Sequence, residues 1–191
     1  WEDHPWAELE RTDGEQLERF NTDAAHWHVA GGEYLPDVRE RMIGALREQL
    51  MLRFVFSVPG MPCIYYGDEA GMQGFEDPFN RGTYPWGREN AELVQYFQQL
   101  GALRKSHEAL QSGTIVYHAA QGRVLAFSRR AAHDHCLTVV NAGEEVVTLT
   151  LPWDAALAED ALSHQAFFCG DGMLRLTLEP YGAMLLTEPQ D

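Results

Sequence analysis

The chain has 191 residues and a mass of 21.6 kDa, enough to bury roughly 70% of its unfolded surface in one domain, or in one domain and part of another. Hydrophobic residues at 45% and charged residues at 23% match a folded water-facing chain. Fourteen Lys and Arg against 29 Asp and Glu give a net charge of −15, which argues against nucleic-acid or membrane-surface partners, because an acidic surface repels phosphates and anionic headgroups.

Residues 1–28 are strongly acidic, and Trp6, Leu9, Leu17 and Phe20 form a weak helical stripe, so an exposed helix or loop is expected. The chain opens on Trp1 rather than Met, which leaves room for an upstream segment; without a basic, apolar leader the cytoplasm is the expected compartment. After Gly31-Gly32, Pro36-Asp37 makes a helix entry. Val38, Met42, Leu46, Leu50 and Phe54 then recur three or four apart, predicting an amphipathic helix with one side on a core. Pro59-Gly60-Met61-Pro62 ends it, and Cys63-Ile64-Tyr65-Tyr66 reads as a short buried strand.

A long irregular stretch, Asp68 to Arg88, follows; loops of that length in compact domains usually bind or catalyse. A second helix is predicted from about Asn90 to His107, with Asn90 as N-cap and Leu93, Phe97, Leu100 and Leu103 as its buried stripe. From Thr114 the period changes to two. Seven short runs (115–118, 124–128, 136–141, 146–151, 165–169, 174–178 and 183–187) separated by Gln121-Gly122, Ala142-Gly143 and Asp171-Gly172 predict an antiparallel β-sandwich. The boundary is placed near Leu110–Gly113, giving domains 1–110 and 111–191.

Cys63, Cys136 and Cys169 are odd in number and far apart, which fits neither a disulfide framework nor a zinc motif; buried thiols are expected. His26-Trp27-His28 and His133-Asp134-His135 have i, i+2 spacing but lack a third ligand at a motif distance, so no metal and no cofactor are expected. The central segment carries the chemistry. Two tyrosines and a Gly-Asp-Glu turn precede a loop with Asp77, Asn80, Arg81, Tyr84 and Trp86: rings that stack on sugar faces beside groups that bridge hydroxyls. The plainer alternative has Asp68 and Glu69 capping the turn and the tyrosines in a core.

These residues resemble the α-amylase family of glycoside hydrolases, in the cyclomaltodextrinase, neopullulanase and maltogenic amylase branch. Pro59-Gly60-Met61-Pro62-Cys63-Ile64-Tyr65-Tyr66-Gly67-Asp68-Glu69 is similar to the family's eighth-strand motif, and Asp77-Pro78-Phe79-Asn80-Arg81 to the loop after it. The resemblance implies the last helix-strand-helix units of a (β/α)8 barrel followed by a C-terminal antiparallel β-sandwich, an α/β plus all-β chain. It implies Asp77 and Arg81 as sugar-holding residues, with Tyr66 and Trp86 beside them, and an α-glucan or maltooligosaccharide as ligand.

The implied reaction is retaining hydrolysis of α-glucosidic bonds, which needs two carboxyl groups about 5 Å apart. By the resemblance the chain begins after the strands bearing both, so inactivity in isolation is expected. Asp23 falls where the family's third, assisting carboxylate stands, although Thr22 replaces the family's His and the preceding segment is too polar for a buried strand. Two further readings stand beside this one: a non-catalytic glucan-binding module, and a structural module that self-associates through an exposed barrel edge.

Overall fold

The computed structural model describes residues 38–72 and 81–189. Two compact units divide the chain. Among the described residues, Ile64–Val94 belongs to one, while Val38–Cys63 and everything from Gln95 onward belong to the other.

In the larger unit, helix α1 (Val38–Ser57) arises from the three-and-four spacing of its apolar residues. The predicted one-sided burial holds at Leu50, which is buried, and at Phe54, which is half-buried, and fails at Leu46, which is exposed. Helix α2 (Ala91–Ser106) opens on Asn90, whose Oδ1 accepts the Leu93 amide at 3.1 Å, one of the donors a helix start leaves without a partner. Leu93, Phe97 and Leu100 are buried along it. A short helix α3 (Glu108–Ser112) follows, its Ala109 amide capped by Asp134 Oδ2 at 2.8 Å.

Eight strands then form one antiparallel series in the order β1-β2-β3-β8-β5-β6-β7-β4. They are β1 (Thr114–Gln121), β2 (Val124–Arg130), β3 (His135–Asn141), β4 (Val147–Pro152), β5 (Leu157–Asp160), β6 (Ala166–Gly170), β7 (Met173–Leu178) and β8 (Ala183–Thr187). The series folds over itself. Ala126, Leu137, Val139 and Leu186 on β2, β3 and β8 meet Leu151, Leu174, Leu176 and Leu178 on β4 and β7 in one core. Each of these fully buried leucines contributes about 2 kcal/mol of transfer free energy. Asp171 and Gly172, both at positive φ (53° and 71°), make the tight turn between β6 and β7, the conformation that Asp-Gly adopts with least strain.

The opposite face of β2, β3 and β8 is also covered. Ala109 and Leu110 of α3 pack on Cys136 and Leu185, and Phe54 of α1 meets Phe127 edge-on at 6.2 Å. Two-sided cover explains why Ala126 through Arg129 and Cys136 through Asn141 read as unbroken buried runs instead of alternating ones.

Three expectations fail. Residues 61–65 carry no regular structure, and Cys63, Ile64, Tyr65 and Tyr66 are exposed, not a buried strand. A strand is buried only by neighbours that pair and pack on it, and no strand pairing reaches this segment among the described residues. For the same reason the Cys63 thiol is exposed, while Cys136 is buried and Cys169 half-buried. The third failure is β5, which Leu157-Ala158-Glu159-Asp160 does not advertise. Its Asp160 is nevertheless buried, because Leu185 N at 2.9 Å and Ser163 Oγ at 2.7 Å donate to it and the Arg53 guanidinium lies 3.5 Å away. The second helix and the seven anticipated strands lie where the periodicity places them, within a few residues at each end.

Candidate functional site

The smaller unit holds the tyrosine-rich turn and the loop that returns beside it. A single 3₁₀ turn, Asp68–Ala70, is flanked by Gly67 at φ 92° and Gly71 at φ 75°. Both glycines adopt the left-handed region that a Cβ disfavours, and at Gly67 a Cβ would also strike the Met72 side chain. Asp68 Oδ2 accepts the Tyr65 amide at 3.1 Å and Glu69 Oε2 accepts the Gly67 amide at 3.0 Å. Both carboxylates are thus occupied as turn caps, the plainer of the two readings for that pair.

Two aromatic pairs decorate this turn. The Tyr65 and Tyr66 rings lie 4.9 Å apart at 47°, and Tyr84 and Trp86 lie 4.6 Å apart at 50°. Tyr66 donates its hydroxyl to the Gly82 carbonyl at 3.0 Å, which fastens the returning loop to the turn. Desolvation raises the Tyr84 phenol above its ordinary value, with the nearby Glu69 and Glu89 carboxylates adding to the shift, so it stays a neutral donor. Trp86 is 81% exposed and Tyr66 44% exposed.

Of the predicted site residues, Tyr66, Arg81 and Trp86 lie in this unit, and Arg81 is exposed. The hydrogen bond from Tyr66 lands on the residue next to Arg81. Asp23 and Asp77 lie outside the described residues, as do His26 and His28. The bond from the Tyr66 hydroxyl to Gly82 was not visible in the sequence; the one cue is the tyrosine's place before a glycine-bounded turn, and that cue does not say which later residue returns to it.

Chemically, the turn presents rigid aromatic faces beside a guanidinium and hydroxyl donors. Such a surface stacks on the apolar faces of sugar rings and exchanges hydrogen bonds with their hydroxyls. The Asp68, Glu69 and Glu89 carboxylates each accept a backbone amide of the turn or the loop.

Comparison with known proteins bears on the whole chain. The family described as maltogenic amylase, C-terminal domain, matches residues 115–185. A cyclomaltodextrinase of Geobacillus thermopakistaniensis is 33% identical over 168 residues, covering 84% of this chain and 29% of the relative. Neopullulanase 2 of Thermoactinomyces vulgaris is 34% identical over 145 residues, covering 72% and 25% respectively. Among solved structures, an Anoxybacillus α-amylase superposes with a TM-score of 0.70 at 26% identity, over 77% of this chain and 33% of its own. The chain therefore spans a third or less of the length of these relatives. No helix among the described residues is long and apolar enough to cross a membrane. The chain belongs with the cyclomaltodextrinase, neopullulanase and maltogenic amylase branch of the α-amylase family, and its segment 115–185 is the C-terminal β-domain of that branch.

Proposed function

We propose that this chain is the C-terminal part of an α-glucan hydrolase, contributing a sugar-holding rim and a covering β-domain while the nucleophile and the acid/base lie upstream. On this reading residues 1–110 are the closing segment of a (β/α)8 barrel and residues 111–191 the β-sandwich. The exposed state of Ile64, Tyr65 and Tyr66 supports it, because a barrel strand has its partners on neighbouring strands. Asp77, Arg81, Tyr66 and Trp86 hold the sugar, and Asp23 is the assisting carboxylate.

The observation that carries this reading is the pair of tilted aromatic couples, Tyr65–Tyr66 and Tyr84–Trp86, held by the Glu69 turn and left facing solvent. Retaining hydrolysis requires its carboxyl groups to act as a unit, so the isolated chain releases no reducing sugar from maltooligosaccharides or cyclodextrins. Titration calorimetry with maltotriose tests the rim: weak binding is expected, lost in Arg81→Ala and in Trp86→Ala. Hydrolysis that persists in Asp23→Ala, with contaminating amylase excluded, refutes the assignment of the chemistry to upstream residues.

Self-association is a second reading, favoured by the exposed Ile64, Leu46 and Met51 side chains. Light scattering at increasing concentration decides it; a monomer throughout counts against it.

A further inference from the structure

In the larger unit lies a polar groove of about 510 Å³ between the α2–α3 junction and the β2–β3 turn. His107, His133, Asp134 and His135 are among its walls. At its edge three different metal-ligating side chains converge: a ring nitrogen of His107, a carboxylate oxygen of Asp134 and Cys136 Sγ all lie within 4.8 Å of one another. They come from three places in the chain, namely the residue between α2 and α3, the turn after β2, and the face of β3 that α3 covers. That dispersion is why no spacing motif announces them.

The three ligand atoms lie within 4.8 Å of one another, and a tetrahedral ion adjusts them to its own spacing. Bonds of about 2.0–2.3 Å to nitrogen, oxygen and sulfur place ligand atoms about 3.3–3.8 Å apart. His107 Nδ1 and Asp134 Oδ1 are 2.9 Å apart, joined by a hydrogen bond, so the ion enters by replacing that proton. The second Asp134 oxygen keeps its bond to the Ala109 amide, which orients the carboxylate from behind. Cys136 is fully buried, His107 nearly so, and the groove supplies the open side. His135, next to Cys136 on β3, projects to the opposite face of the sheet and stacks on Trp153, so it takes no part in the cluster.

We propose that His107, Asp134 and Cys136 hold one divalent transition-metal ion, with water as the fourth ligand. One thiolate with imidazole and carboxylate donors suits zinc over calcium or magnesium, which take oxygen ligands alone. The Cys136 thiol gives up its proton to solvent as the bond to the metal forms. The ion adds a bond between the helical layer and the sheet where Asp134 already holds His107 and the Ala109 amide and Cys136 packs with Leu110 and Leu185.

The test uses the full chain, reduced and freed of metal by a chelator, titrated with Co²⁺ alone and then with Zn²⁺. Expected is a thiolate-to-cobalt charge-transfer band saturating at one equivalent, bleached by Zn²⁺, with Zn²⁺ also raising the melting temperature. Cys136→Ser loses the band and binds more than about 10-fold more weakly. Cys63→Ser/Cys169→Ser keeps the band, and it carries the test if the buried Cys136 variant fails to fold. A chain that shows no charge-transfer band, or whose band disappears in Cys63→Ser/Cys169→Ser, overturns the site.

Discussion

Arg129 of β2 reaches back to the end of helix α1: its Nη1 donates to the Ser57 carbonyl at 2.7 Å. The same guanidinium donates to the Gly113 carbonyl from Nη2 at 2.9 Å and from Nε at 3.3 Å. It is 1% exposed, and burial, then the nearby Arg104 charge, lowers its pKa below the ordinary guanidinium value. Arg104 of α2 donates to the Phe56 carbonyl at 2.6 Å, to Val58 at 3.3 Å and to Gly60. Two arginines from different elements thus satisfy the carbonyls that a helix leaves open at its C-terminus, where positive charge also meets the negative end of the helix dipole.

Arg129→Met therefore destabilises the chain by about 3 kcal/mol, since it leaves the buried Ser57 carbonyl and the half-buried Gly113 carbonyl without this donor. Arg129→Lys recovers part of this, because one ammonium cannot reproduce the planar fork. Urea midpoints of the three proteins check the order; equal midpoints for wild type and Arg129→Met contradict it.

Trp153 is completely buried, donates Nε1 to the Leu157 carbonyl at 2.9 Å and stacks on His135 at 4.6 Å. Trp153→Phe loses the hydrogen bond and opens a small cavity between the layers, at a cost of about 2 kcal/mol. Thermal melts measure the loss, and a variant that melts like wild type contradicts it.

The Asn90 cap is a local contribution. Asn90→Ala strips the acceptor from the Leu93 amide and costs about 1 kcal/mol, whereas Asn90→Asp or Asn90→Ser retains most of it. Comparing the denaturant midpoints of the three variants separates capping from any change in packing.

His118 accepts or donates with Ser128 Oγ at 2.8 Å, and burial, then the Arg130 charge, lowers its pKa below the ordinary 6.5. Because the folded chain favours the neutral ring, the stabilisation is complete above pH 6.5 and is lost as pH falls through the lower folded value. His118→Gln keeps a hydrogen-bonding side chain without the titration. The stability gap between wild type and His118→Gln should shrink when unfolding is repeated at a pH well below 6.5; a gap that widens on acidification reverses the assigned sign.

The candidate site was legible where it depends on covalent neighbours. Gly67, Asp68, Glu69 and Gly71 specify a tight turn, and Tyr65, Tyr66, Tyr84 and Trp86 supply rings, all readable as residue types at fixed spacing. That Tyr66 fastens Gly82 was not legible, since the contact joins residues 16 apart in the chain. The expected burial of Cys63 through Tyr66 was misplaced because an apolar run reports a capacity to be buried, and the run itself does not supply the neighbours.

By itself the sequence determined the two long helices, the β-rich character of the C-terminal part, seven of its strands and the Asn90 cap. Each of these is a local matter of apolar period, turn chemistry or capping, read within a window of a few residues. Only the tertiary structure decided the strand order, the covering of both faces of β2 and β3, the burial of Arg129 and Asp160 in a strand-rich core, and the meeting of His107, Asp134 and Cys136. Those depend on pairings between residues far apart in the chain, where a buried charge or polar group is tolerated because distant carbonyls, amides and guanidiniums complete its hydrogen bonds.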